Sequence, residues 1–114
     1  MTVRTQVFNP VLNYTITGTN SSVAQAISQP PGTPGSTYNA GGYTTVRFYN
    51  PNAYVAFASW VALGTATAST SGNAPIPASG SVTYDMGGPM SSIAVILGTA
   101  SAGSIYVSVG DGGP

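Results

Sequence analysis

The sequence predicts an all-β fold, a single-domain β-sandwich of jelly-roll type with seven or eight short antiparallel strands. Three observations carry this. Apolar residues alternate with polar ones in run after run, turn-forming Gly, Pro and Asn recur at intervals of roughly ten residues, and no long segment holds a helical apolar period. At 114 residues the chain is read as one domain spanning 1–114, large enough to bury roughly two thirds of the surface an unfolded chain exposes. An immunoglobulin-type sandwich is less favoured, because the Cys, Trp, Cys marker of that fold is missing from a chain without cysteine.

Taken in order, Thr2 to Phe8 and Leu12 to Thr17 read as two short strands separated by Asn9-Pro10. In the second, Leu12, Tyr14 and Ile16 share one face. Ser22 to Ser28 fits one helical turn or a strand, and the strand is preferred. Residues 29–42, with Pro30, Pro31, Gly32, Pro34, Gly35, Gly41 and Gly42, hold too many breakers for either element and form a long loop. That loop is either a solvated connection or a binding arm.

Tyr43 to Asn50 is a strand with Val46 and Phe48 inward and Thr45, Arg47 and Tyr49 outward. Asn50-Pro51-Asn52 supplies turn chemistry for a hairpin, whose returning arm, Ala53 to Leu63, is apolar on both faces. Such a strand is covered twice or lies in an interface. Pro75 and Pro77 forbid a central strand around Ile76, so this extended segment should plug an edge. Three strands follow: Ser81 to Met86 with Val82, Tyr84 and Met86 inward, Ser91 to Leu97 apolar on both faces, and Ser104 to Val109 with Ile105, Val107 and Val109 inward. Residues 110–114 read as a Gly-rich tail.

Only four side chains are charged, Arg4, Arg47, Asp85 and Asp111, and Lys, Glu, His and Cys are absent. A typical soluble domain carries roughly a quarter charged residues. Two arginines are too few for nucleic acid, whose affinity comes from neutralising several phosphates, and too few for anionic membranes. No stretch approaches the roughly 20 apolar residues of a membrane helix, and no secretory signal pattern is read at the amino terminus. The sequons at Asn13 and Asn20 are accordingly read as chance.

The same census bears on catalysis. General acid and base chemistry draws mainly on His, Lys, Cys or a tuned carboxylate, which leaves Asp85 and Asp111; one follows a strand pattern and the other sits among glycines. No base stands ready to activate a serine, and Gly110-Asp111-Gly112-Gly113 lacks both the lysine of a phosphate loop and the repeated carboxylates of a calcium loop. No enzyme activity, cofactor or metal is expected. The four charges are expected in turns or in structural ion pairs, Arg4 and Arg47 against Asp85 and Asp111. Of the aromatic residues, Tyr14, Tyr84 and Phe48 suit the core and Tyr49, Tyr54 and Trp60 an interface; a sugar-binding face is the rival use of such rings.

The run Val46-Arg47-Phe48-Tyr49-Asn50-Pro51, a hairpin return, Pro75-Ile76-Pro77-Ala78, a strand and turn, an apolar strand and then Ser104-Ile105-Tyr106-Val107-Ser108-Val109-Gly110-Asp111-Gly112 resembles small phage structural proteins. In particular it is similar to the cement, or decoration, proteins on the outside of tailed-phage heads, over roughly Tyr43 to Gly112. The resemblance implies a jelly-roll or related sandwich, dimeric or trimeric, made in the host cytoplasm and added to the outer capsid surface of the virion, where it bridges subunits of the major capsid protein. It carries over no catalytic motif. Contacts are then expected from Tyr49, Tyr54, Trp60 and the long loop, with Pro30, Pro31, Pro34 and Tyr38. The alternative expectation is a receptor- or glycan-binding head domain of a viral fibre or tail protein.

Overall fold

The computed structural model of the chain describes residues 8–29, 43–72, 74–98 and 102–112. Among them are eight strands: β1 (Asn9–Gly18), β2 (Val23–Ala26), β3 (Thr45–Asn50), β4 (Ala56–Val61), β5 (Pro75–Ile76), β6 (Gly80–Asp85), β7 (Ser92–Leu97) and β8 (Gly103–Asp111). They form two four-stranded sheets, β1-β8-β3-β6 (sheet A) and β2-β7-β4-β5 (sheet B). The partners are nested, β4 with β5, β3 with β6, β2 with β7 and β1 with β8, all antiparallel. Folding one long hairpin across two sheets in this way is the winding of an eight-stranded jelly roll.

Period-two patterning fills the space between the sheets. Sheet A sends in Leu12, Tyr14, Ile16, Val46, Phe48, Val82, Tyr84, Ile105, Val107 and Val109, and sheet B answers with Val23, Ala56, Ala58, Trp60, Ile76, Ile93, Val95 and Leu97. Phe48 is fully buried at the centre, stacked on Trp60 with ring centroids 6.4 Å apart and meeting Tyr84 edge-on at 6.3 Å. Small Ala56 and Ala58 on sheet B share this cluster with large side chains, a mix of sizes suited to a close-packed interior.

All six residues of β7 are buried because its outer face is covered as well. Ser92, Ala94 and Ile96 lie under the β4–β5 connection, which lays Ala66 and Ala68 against Ala94, Ile96, Phe57 and Val61 in a second apolar cluster. The Ala66 amide donates to Ser92 Oγ at 3.1 Å and the Ala68 amide to Ser22 Oγ at 2.8 Å, pinning this strap across sheet B. The double-sided apolar character of β4 and β7 is thus satisfied within the chain.

Three expectations need correction. The first concerns Asn9-Pro10, which is paired as the opening of β1 rather than standing as a break before it; of the strand expected over Thr2 to Phe8, all but Phe8 lies outside the described residues. The β1–β8 register shifts between Pro10 and Leu12, and β1 is the outermost strand of sheet A; a bulge on an edge is where a strand tolerates proline. The second concerns residues 110 and 111, which belong to a strand rather than to a tail. β8 runs on to Asp111, because Gly110 pairs with Pro10 on one side and Thr45 on the other. Gly110 has no room for a side chain, since a Cβ there would collide with the Asn9 carbonyl oxygen crossing over it.

Most consequential, β3 and β4 are not a hairpin. β3 belongs to sheet A and β4 to sheet B, and Asn50-Pro51-Asn52 carries the chain between them. Asn50 is fully buried. Its Nδ2 group donates to the Tyr54 carbonyl at 2.8 Å and reaches the Ile76 carbonyl at 3.5 Å, while its Oδ1 accepts from Asn52. Asn52 in turn donates through Nδ2 to the Ser104 carbonyl at 3.1 Å and accepts at its own carbonyl from the Ser79 amide at 2.9 Å. One buried amide therefore ties the crossing to both sheets.

Candidate functional site

Among the described residues, the sheet left uncovered is A. Strand alternation puts Asn13, Thr15, Arg47, Tyr49, Ser81, Thr83, Tyr106 and Ser108 on its outer face, and register aligns them in two rows. The first runs Thr15, Tyr106, Tyr49, Ser81 and the second Asn13, Ser108, Arg47, Thr83. Tyr49 and Tyr106, directly opposite one another, hold their rings nearly parallel, 23° apart with centroids 6.0 Å apart. They are 47% and 46% exposed, against complete burial of Phe48 on the opposite face of β3. In the second row Ser108 Oγ donates to Asn13 Oδ1 at 2.9 Å.

Arg47 closes one side of this face. Its guanidinium carbon sits 5.3 Å from the centre of the Phe8 ring, a cation–π contact made as the chain enters β1. Beyond it Thr45 is buried although its strand position faces outward, and its hydroxyl donates to the Gly112 carbonyl. The Phe8–Asn9 segment and the end of β8 thus cap the outer face, and the tyrosine pair is its open part.

The charged groups do not converge. Asp85 closes a local turn, accepting from the Gly87 amide at 2.8 Å. Asp111 ends β8 opposite Asn9, and β3 lies between the strands that carry the two carboxylates. Arg47 is engaged with Phe8 rather than held against either of them. Arg4 lies outside the described residues, as do Pro30, Pro31, Pro34 and Tyr38.

The three aromatic residues singled out from the sequence occupy three different places. Tyr49 is on the open face. Tyr54 follows the β3–β4 crossing, half-buried, with its hydroxyl 3.4 Å from the Ala102 carbonyl. Trp60 points into the sandwich, half-buried between Phe48 and Tyr84, the latter at 5.6 Å. Beside it a cleft of about 200 Å³ is lined by Ala58, Ser59, Trp60 and Ala74, smaller than the roughly 300–1,000 Å³ of small-molecule sites. Tyr106 was not singled out. The alternation Ser104-Ile105-Tyr106-Val107-Ser108 places it outward, but only the β3–β8 register pairs it with Tyr49.

A second cluster sits at one end of the sandwich. Gln29 and Tyr43, the residues flanking the Pro/Gly-rich connection, are joined there: Gln29 donates to the carbonyls of Tyr43 and Met90 at 3.0 and 2.9 Å and accepts from the Tyr43 amide at 2.8 Å. Ile27 bonds through its amide to the Ser91 carbonyl, and Ser91 in turn reaches the carbonyls of Val61 and Gly64. Leu63, between those two, is 87% exposed. Asn9 and Asp111, where β1 begins and β8 stops, pair at this same end of sheet A, alongside Thr45 and Asp85. No family model matches the chain, and neither does any curated protein or solved structure.

Proposed function

We propose that this chain is a decoration protein of a tailed-phage head, a non-catalytic component of the virion that sits on the outer capsid surface and bridges subunits of the major capsid protein. The observation that carries the reading is the make-up of the Leu63 end. An almost fully exposed leucine, both flanks of the Pro/Gly-rich connection and the first and last paired residues of sheet A meet there, on a chain with four charged side chains in all. A surface of that kind suits burial against another neutral protein surface, where charge is depleted from the contact. The jelly roll is used by capsid proteins and also by lectins, so fold alone argues only by analogy.

The mechanism is mechanical. Each copy, as a dimer or trimer, adds apolar and hydrogen-bonding contacts across a joint between capsomers, and an outward push on the shell must break those contacts before the joint opens. Binding the expanded shell in preference to its precursor stabilises the expanded state by mass action. Mixing the purified protein with empty expanded heads and sedimenting them is the test. Co-sedimentation at a fixed copy ratio, abolished by Leu63→Glu and kept by Tyr49→Ala, is expected; no association with the cognate shell overturns the reading.

A further inference from the structure

The open part of sheet A has a definite size. Strands lie about 4.8 Å apart and same-face residues about 6.7 Å apart along a strand, so two rows across four strands cover a patch on the order of 15–20 Å by 10 Å. That is a few hundred Å² at most, below the roughly 800 Å² per partner of a standard protein–protein interface. It matches a short row of linked rings.

The chemistry of the patch is equally definite. At its centre are two nearly parallel tyrosine rings, each close to half exposed. Around them stand Thr15, Ser81, Thr83, Ser108 and Asn13, all neutral hydroxyl or amide groups. Neither row contains a carboxylate, and the single cation, Arg47, is turned onto the Phe8 ring. Nucleic acid on such rings would need a positively charged groove to track its backbone, which one arginine does not supply.

We propose that this face binds a neutral oligosaccharide. A sugar ring presents an apolar C–H face and an edge of hydroxyls, the complement of an aromatic platform bordered by neutral donors and acceptors. Tyr49 and Tyr106 form the platform for consecutive sugar rings. Thr15 and Ser81, at the two ends of the tyrosine row, exchange hydrogen bonds with their hydroxyls. The Ser108 hydroxyl, by donating to Asn13 Oδ1, holds the Asn13 amide so that its Nδ2 group serves as a donor to the ligand. The inference does not rest on the docking role, because the tyrosine face and the Leu63 end are different surfaces.

Titrating the full chain with tetrasaccharides of glucose, mannose, galactose and N-acetylglucosamine, and with a sulfated tetrasaccharide, while following backbone amide shifts by NMR, tests it. At least one neutral tetrasaccharide is expected to shift residues 13–15, 47–49, 81–83 and 104–108 and to bind more tightly than the sulfated one. Tyr49→Ala and Tyr106→Ala should each weaken that binding by about tenfold. Should an alanine variant lose its fold, Tyr49→Leu and Tyr106→Leu keep side-chain bulk without a ring and are expected to show the same loss. Absence of shifts at about 10 mM of every neutral sugar, preference for the sulfated one, or folded variants that bind like the parent overturns the proposal.

Discussion

Asn50 Oδ1 accepts two hydrogen bonds from Asn52, one from its backbone amide and one from its side-chain Nδ2, both at 2.9 Å. That pair fixes where the chain leaves sheet A for sheet B. Replacing Asn50 by Ala strands the Tyr54 carbonyl and removes the acceptor that orients Asn52, and each buried group left without a partner costs about 1–3 kcal/mol. A loss of about 3 kcal/mol in urea unfolding is expected. Asn50→Asp keeps the Asn52 bonds but sets a carboxylate against two carbonyl oxygens, and should be at least as damaging.

Neighbours on β3 should respond very differently to the same change. Phe48 is fully buried among Trp60, Tyr84 and the core aliphatics, so Phe48→Ala is expected to cost about 3–5 kcal/mol. Tyr49 stands on the open face, and Tyr49→Ala forfeits chiefly its cross-strand pairing with Tyr106, about 1 kcal/mol. Denaturant midpoints of the two variants measured side by side check the contrast.

Gly110→Ala pushes a methyl group into the Asn9 carbonyl. The expected result is a loss of about 1–3 kcal/mol, the usual cost of overpacking, with the first residues of β1 giving way first. Hydrogen exchange should therefore quicken at the start of β1, before and through the bulge, while the Tyr14 to Ile16 amides stay protected.

With no His, Lys, Glu or Cys, the chain carries no side-chain type whose ordinary pKa lies near neutrality, and its stability should be flat across neutral pH. Above that range Tyr84 matters. Burial raises its phenol above the ordinary tyrosine value, so the folded state keeps a proton that the unfolded state releases. Its contribution is fully present below about pH 10 and is lost as pH rises through the folded value. Thermal melts from pH 9 to 11.5 should show Tyr84→Phe declining less steeply than the parent. The variant starts lower by about 1 kcal/mol, because the phenol donates to the Pro75 carbonyl at 2.6 Å.

The strands buried on one face, and β7 buried on both, were legible in the sequence. Val46 with Phe48, Ile105 with Val107 and Val109, and the unbroken apolar run of β7 each follow from alternation or its absence, and proline around Ile76 correctly marked an edge. The β3–β4 crossing was not, because Asn50-Pro51-Asn52 has the same turn chemistry whether the chain returns beside its own strand or moves to the other sheet. The choice is made by carbonyls of Tyr54 and Ile76 and by Ser104, most of them distant in sequence. Pro10 misled for a related reason: a proline reads as a break unless the strand is known to lie at an edge. The candidate face was half legible. Outward placement of Tyr49 and Tyr106 follows from alternation, whereas their meeting depends on the register of two strands far apart in the chain.

The strap carrying Ala66 and Ala68 has a consequence for valency. By occupying the outside of sheet B it leaves, among the described residues, a single bare sheet surface on each copy, so one molecule can engage a repetitive ligand through that surface only once. Any avidity must then come from the spacing of copies on whatever lattice carries them, and a monomer in dilute solution should be a weak binder even of a ligand that an ordered array holds firmly.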